Sequence, residues 1–420
     1  MDYAPEKYKK IIEPAKQKEI IIGKNFNFMV TLNMYKLIIM YSKSLLIIFI
    51  ISIFAFTSCV KSDIIISEDS ANSIKIELKD VKIFDYNSIV EEINYVALET
   101  TDESLIGNIE KIILYDKNII IFDRQTNKIL LFSHDGSFIR QIGQRGQGPD
   151  EYNTFNEIFL DEPSGLIYAH ERIKNVMFVY NLEGKIVHKI HPRFRFNSFC
   201  KTKDGFWLYT CFENNNPNGY NLMLVDERMQ KMIRGFFPQH PNFINVEFGK
   251  SRFYNNEAGE FFFSYPTSNC IYKLSDQSPE AIYKIDFGNK TAPYREIAKL
   301  ETSEEYYKLM ENDYFKFRDY CFWNNILIFS FSESSLLNAH SEYKGFYEIN
   351  NSNLNIYKGF INSKTIPSVT ITGTSGFALI FNKYPFEMMS DQREYIEKQL
   401  DEKLDDDSNP VLIICYPKKN

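Results

Sequence analysis

The sequence has no Cys-x-x-Cys pair. Its six cysteines are Cys59, Cys200, Cys211, Cys270, Cys321 and Cys415, and none of their spacings suits a zinc site. There is no strand–GxxxxGK[ST]–helix unit, so no cradle for a nucleotide. There is no GxSxG elbow and no Ser–His–Asp order to support a hydrolase triad. His188 and His191 stand at i, i+3 with Arg193 beyond, which on a strand or turn is not a metal pair. Positive charge is short in the body of the chain. Beyond residue 58 there are 40 basic and 51 acidic residues, a balance of −11; residues 1–58 carry 8 Lys, no Arg and 4 acids. A phosphate-binding face needs the opposite sign, which argues against nucleic acid as a partner. The longest apolar run, Leu45 to Phe56, falls short of the ~20 residues of a membrane-spanning helix.

What the chain has in quantity is aromatic: 36 Phe and 27 Tyr in 420 residues, against 18 Gly. That suits pleated, half-buried strands. One pattern also appears twice in succession. NIIIFDRQTNKILLFSHDGSFIRQIG runs from Asn118 to Gly143, and GLIYAHERIKNVMFVYNLEGKIVHKI from Gly165 to Ile190. Each reads as strand, polar turn with a basic residue, strand, Gly turn, strand. A β repeat of this length predicts a β-propeller. The strand that follows a short turn recurs as a marker at Asn118, Gly165, Gly205, Gly259, Asn325 and Gly376. Those six starts are 47, 40, 54, 66 and 51 residues apart. Four-stranded blades need ~40–50 residues, so six blades fit.

The longer spacings hold helical patterns. Pro293 to about Asn312 and Phe386 to about Asp405 are charged, amphipathic and free of β-branched runs, the second with Ser390-Asp391 as N-cap. They read as two helical insertions on the outside or rim of the ring. After the second, Asn409 to Pro417 returns to strand. A ring must be closed, because an open edge invites aggregation. The segment Ile93 to Thr100 has strand character, and we expect it to join Val411–Cys415 and close the last blade.

The N-terminal part reads as an address. Lys43-Ser44 precede the apolar run, which ends Phe56-Thr57-Ser58-Cys59 and has the length of a secretory core. This resembles a bacterial lipoprotein signal in which Cys59 is lipidated; Phe56 stands where the family pattern has Leu. Residues 34–58 are then the signal peptide, and residues 1–33, mixed in charge, a misassigned extension. Residues 59–91 form a tether and leading segment, with the folded body starting near Ile74 or Ile93. A propeller occupies 92–417. The odd count of five further cysteines leaves at least one unpaired. Cys200 and Cys211 flank the Asp204-Gly205 turn and could face each other across a hairpin; buried, inert thiols are the plainer reading.

The segment GQGPDEYNTFNEIFLDEPSGLIYAHERIKNVMFVYNLEGKIV is similar to the NHL repeat. In it, Gly146 and Gly148 are expected to take positive φ, and Pro149 to stiffen an inter-blade crossing. Together with the Cys59 signal, VALETTDESLIGNIEKI at 96–112, the GQGPDEY loop and the C-terminal helix and strand, the layout resembles a family of six-bladed propeller lipoproteins of Bacteroides-type bacteria. The resemblance implies an all-β, six-bladed β-propeller of the NHL/TolB-like kind over roughly 92–417. It implies a place in the cell envelope, at the outer membrane, facing periplasm or cell surface. It implies no biochemical activity.

Candidate ligand-contacting residues lie in the polar turns, Asp123-Arg124 and His170-Glu171-Arg172, and in the Gly-flanked loop at Arg145. Arg124 and Arg172 could form a ring for an anionic or sugar ligand; pairing within the fold is the structural alternative. FENNNPNGYN, Phe212 to Asn221, could stack on and hydrogen-bond a glycan. No cofactor and no catalytic residue are assigned. We expect a binding scaffold, fixed to a membrane by its lipid, for a glycan, peptide or partner protein. The alternative is a lactonase-like propeller hydrolase with Ca²⁺ in the channel, for which Asp123, Asn269 and Asn324 would have to converge.

Overall fold

The computed structural model describes residues 66–418, apart from residue 80 and the segments 212–218, 240–251, 276–277, 298–299, 301, 313, 334–341, 361–362, 364, 367–372 and 375–377. Two short strands come first, β1 (Asn72–Lys75) and β2 (Lys82–Phe84), then β3 (Val90–Ala97). Blade 1 is β4 (Ile109–Tyr115), β5 (Asn118–Asp123), β6 (Lys128–Ser133) and β7 (Phe138–Ile142). Blade 2 is β8 (Glu157–Asp161), β9 (Leu166–Glu171), β10 (Val176–Tyr180) and β11 (Ile186–Ile190). Blade 3 is β12 (Ser198–Thr202), β13 (Gly205–Tyr209), β14 (Tyr220–Val225) and β15 (Met232–Pro238). Blade 4 is β16 (Phe253–Asn255), β17 (Phe261–Ser264), β18 (Cys270–Leu274) and β19 (Pro279–Asp286), with β1 added in parallel outside β19. Blade 5 is β20 (Phe315–Trp323), β21 (Ile326–Glu333), β22 (Glu342–Glu348) and β23 (Asn353–Phe360), with β2 outside β23. Blade 6 is β24 (Gly373–Thr374), β25 (Leu379–Lys383), β26 (Val411–Pro417) and, as its outermost strand, β3.

The fold is therefore an all-β, six-bladed propeller. The expected closure is present: Val411 faces Ala97 and Cys415 faces Ile93 across an antiparallel ladder. Five of the marker strands are second strands of their blades. The sixth marker, Gly376, lies outside the described residues, and β25 follows it. The chain joins the ring earlier than 92: Ile74 and Phe84, on the two added strands, are buried.

Hydrophobic burial explains the blade sequences. Six apolar clusters lie one at each junction between blades. At the junction of blades 1 and 2, Ile120, Phe122 and Leu131 meet Ile158, Ala169 and Phe178. Across blades 3 and 4, Trp207 and Leu224 meet Phe263 and Tyr272. The middle strands are thus covered on both faces and read as continuous apolar runs rather than alternating ones. Each buried aromatic or aliphatic side chain contributes about 1.5–3 kcal/mol. Fourth strands differ. Bulges break the ladders of β7, β11, β15 and β19; at β7, β11 and β15 this twists the edge away from intermolecular pairing, while β19 is covered by β1.

The first insertion forms two short helices, α1 (Tyr294–Ile297) and α2 (Ser303–Met310), and the second forms α3 (Ser390–Leu400). Ser390 is the first residue of α3 and not its cap. Gln392 Oε1 instead accepts from the Met389 amide at 3.1 Å. Ile396 of α3 packs with Val411 and Tyr95 against blade 6.

Strand order separates two edges of the ring. Connections between first and second strands, and between third and fourth, leave one edge and span two to six residues. Connections between second and third strands, and from each blade to the next, leave the other edge and run up to the 28 residues of 287–314. Both helical insertions lie on this long-loop edge. First strands of successive blades touch one another, β8 with β12, β16 with β20 and β24 with β4, so they surround the axis.

Candidate functional site

Two turns on the long-loop edge share one sequence pattern, an acid, Arg, two variable residues and Asn. They are Asp123-Arg124-Gln125-Thr126-Asn127 and Glu171-Arg172-Ile173-Lys174-Asn175. Asn127 and Asn175 both take left-handed backbone, φ 56° and 53°, which Asn tolerates better than most residues.

In the first turn the acid, the Arg and the Asn all have work within the fold. Asp123 is fully buried. Its carboxylate accepts from the amides of Gly107 (2.8 Å), Asn108 (2.9 Å) and Gln125 (2.9 Å) and from the Thr126 hydroxyl (2.5 Å). Arg124 donates to the carbonyls of Phe155 (3.3 Å) and Asn156 (2.9 Å), pairs with Glu110 at 3.3 Å and lies over the Phe122 ring. Asn127 donates to the Phe155 carbonyl (2.9 Å) and accepts from the Phe155 amide (2.7 Å). The turn thereby ties blade 1 to the crossing into blade 2.

In the second turn, Asn175 likewise donates to the carbonyls of Pro192 (2.8 Å) and Phe194 (3.2 Å). The acid does not repeat the pattern. Glu171 is fully buried; one oxygen accepts from the Asn153 amide at 3.3 Å and lies 3.8 Å from Lys174. Its other oxygen, Oε1, has no hydrogen-bond partner. His170 is stacked on Phe196 at 3.9 Å, and its Nε2 is 3.3 Å from Asn175 Oδ1. Its Nδ1 is buried without a partner. Burial, aided by Arg172 and Arg195, holds the imidazole pKa down at about 3, so the ring is neutral.

Arg145 lies in the crossing from blade 1 to blade 2, where its Nε donates to the Asn153 carbonyl at 3.0 Å. Gly146 and Gly148 do not take positive φ, contrary to the expectation; Gly143 does, at 72°. Their role is close approach. A Cβ on Gly146 would stand 2.0 Å from Glu151 Oε2, and that oxygen accepts from the Gly148 amide at 2.7 Å. Lys189 fastens the loop through Asp150 at 2.7 Å and the Pro149 carbonyl.

The first strands carry polar pairs from blade to blade. Lys111 of β4 pairs with Glu157 of β8 at 2.9 Å and donates to the Ile158 carbonyl. Lys201 of β12 lies 3.4 Å from Asp161. The Tyr254 hydroxyl donates to Asp319 at 2.8 Å. Phe159 of blade 2 lies 6.0 Å from Phe199 and 5.8 Å from Phe261 of blade 4. It packs against the apolar clusters on both sides of blade 3. Four buried polar atoms on these strands and their approaches have no hydrogen-bond partner: Asn156 Oδ1, Ser198 Oγ, Tyr320 Oη and Trp323 Nε1. The sequence reading missed all four. The one signal was an Asn directly before the first strand of blades 1, 2 and 3, at Asn108, Asn156 and Asn197.

The other candidates are scattered. Asn324 sits at the short-turn edge, with φ 50°, whereas Asp123 and Asn269 sit at the long-loop edge of blades 1 and 4; the fold does not bring the three together. Cys200 stands opposite Trp207 in its hairpin, not opposite Cys211, and the five described cysteines are free thiols. Burial pushes Cys270, Cys321 and Cys415 up to about 12, which leaves them poor nucleophiles. Cys59 and residues 212–218 lie outside the described residues.

A closed ring of six four-stranded blades with one elaborated edge is the architecture of a β-propeller scaffold. The chain belongs to the family described as Domain of unknown function (DUF4934), whose pattern matches residues 71–416. Among solved structures it is similar to a protein of Bacteroides fragilis predicted to be exported, at 17% identity and TM-score 0.66, covering 83% of this chain and 100% of that one. It is also similar to a member of the DUF4221 family from Bacteroides vulgatus, at 11% identity and TM-score 0.48, over 79% and 98% of the two chains. Virginiamycin B lyase from Staphylococcus aureus aligns at 13% identity and TM-score 0.38, over 69% and 81%. No curated protein matches the sequence.

Proposed function

We propose that this protein is an exported propeller, held at a membrane of the cell envelope by lipid on Cys59, that binds a glycan, peptide or partner protein across its long-loop edge. The observation that carries the reading is the asymmetry of the two edges. One is sealed by turns of two to six residues, while the other collects both helical insertions and every long connection. Elaboration on one side of a rigid scaffold is how binding surfaces are built. The first-strand carboxylates Glu157, Asp161 and Asp319 already face Lys111, Lys201 and Tyr254, which suits recognition better than cation-dependent hydrolysis. The apolar run ending at Cys59, together with the exported relative of similar fold, supports the envelope location.

Two measurements test this. Metabolic labelling with an alkyne fatty acid should mark the wild-type protein and place it in the membrane fraction. Cys59→Ala should lose label and anchorage; a labelled Cys59→Ala protein overturns the lipid assignment. A thermal-shift panel of glycans, envelope peptides, calcium and EDTA should give a rise in Tm with a glycan or peptide. A rise with calcium alone, abolished by EDTA, overturns the binding reading.

A further inference from the structure

We propose that the long-loop edge is turned toward the membrane that holds Cys59 and rests on the headgroup region of that bilayer. This deepens the binding reading above and rests on its lipid at Cys59; the ligand of the edge is then one displayed at the same membrane. The observation that supports it is where the chain enters the ring. Ile66 packs on the apolar cluster between blades 3 and 4, as do Phe237 and Tyr265. Two residues on, Glu68 Oε1 accepts from the hydroxyls of Ser268 (3.1 Å) and Tyr272 (2.7 Å). Ser268 lies in the connection between β17 and β18, on the long-loop edge. Strand β1 then runs back to that edge, where Lys75 faces Asp286 at the end of β19. Length decides how far the ring can turn. Seven residues lead from Cys59 to Ile66. Fully extended they span at most ~25 Å, and a flexible chain of that length averages ~15 Å. The sealed edge is a strand's length away: β19 has eight residues, or ~25 Å. With the sealed edge on the membrane, the tether would have to be drawn out nearly straight. With the long-loop edge down, it need not be.

The side chains exposed at that edge suit the contact. Ile173 is 70% exposed, Phe386 63%, Met389 50% and Leu105 48%. All four stand on long-loop connections, and no large apolar side chain is exposed in a described turn of the sealed edge. Phe386 lies 5.5 Å from the Tyr384 ring, whose hydroxyl donates to the Gly107 carbonyl at 3.1 Å. That bond brings the loop of Phe386 to the loop of Leu105. Apolar side chains on a membrane-facing surface partition into the boundary between headgroups and acyl chains. Charge does not favour an anionic surface, because the chain beyond residue 58 carries −11. The lipid supplies the affinity, and the apolar loops fix which way the ring faces.

The test places the acylated protein in vesicles of brominated phosphatidylcholine, which quench tryptophan at short range. Trp207 and Trp323 are buried in the ring and give a constant background. The emission added by Phe386→Trp or Ile173→Trp should be quenched at least about twofold. That of Asp204→Trp, in a turn of the sealed edge, should be unchanged. Inserting about twenty Gly-Ser residues after Asp63 should at least halve the quenching at Phe386→Trp, because the ring is then free to turn. Leu105→Ser with Met389→Ser should lower it in the same direction. Equal quenching at Phe386→Trp and Asp204→Trp in an acylated chain overturns the orientation and leaves the anchor standing. So does a longer tether without effect, or quenching seen only when phosphatidylglycerol is added to the vesicles. A mature chain with no lipid on Cys59 overturns both.

Discussion

The turns of blades 1 and 2 are built from one pattern and end in different states. In the first, the Asp123 carboxylate meets five donors, and Arg124 and Asn127 tie down the next crossing. In the second, Asn175 keeps its tie, but Glu171 Oε1 and His170 Nδ1 are buried without partners. One added methylene, Glu for Asp, carries the carboxylate past the amides that the shorter acid reaches. The replacement of Phe122 by His170 at the corresponding place in strand two adds a second unmatched atom. A repeated sequence thus conserves a latch and varies what the latch leaves over. Unmatched groups gather toward blades 2 and 3, where Asn156 and Ser198 also lie.

Six substitutions test that contrast. Asp123→Ala should cost about 3 kcal/mol or more in urea unfolding, because buried amides lose their acceptor. Glu171→Gln should cost under about 1 kcal/mol; equal costs would erase the distinction between the turns. His170 comes next. Its folded pKa is about 3, and in the unfolded chain it returns to about 6.5. Below that the unfolded state binds the extra proton, so the contribution is whole above about pH 6.5 and declines toward pH 3, by about 2 kcal/mol at pH 5. His170→Phe, the residue of blade 1, should flatten this slope in unfolding curves taken from pH 7 to pH 4. Asn127→Ala and Asn175→Ala should each cost about 1.5 kcal/mol, and Gly at either place should recover part through its freedom at positive φ. A cost at one site only would show that the latches are unequal. Smallest of all, Lys189→Ala, which removes an ion pair to the exposed Asp150, should change stability by less than about 1 kcal/mol.

Much of the ring could be read from the chain. Runs such as NIIIF and GFWLY are legible because middle strands are buried on both faces, and the helical insertions because their period differs. The closing pair, Ile93–Ala97 with Val411–Cys415, followed from the need to remove an edge. Strands β1 and β2 were not legible. Three or four residues that gain their order from a ladder offered by β19 or β23 need no pattern of their own. Gly146 and Gly148 were recognised as special for the wrong reason, since close approach and positive φ leave the same letter. The unpartnered buried atoms were hidden for a related cause. Ser198 and Tyr320 are ordinary strand residues, and only the packing of blade on blade buries their hydroxyls.

The outermost strand of blade 6 comes from the other end of the chain. Asn409, just before β26, donates to the Glu99 carbonyl 310 positions earlier. During synthesis β3 leaves the ribosome long before its partner exists, so the ring keeps two unpaired edges until the last strand is made. The chain is therefore most exposed to proteases and to misassembly late in its life as a nascent polypeptide. A truncation that removes only residues 409–420 should be degraded far faster than its small loss of mass suggests.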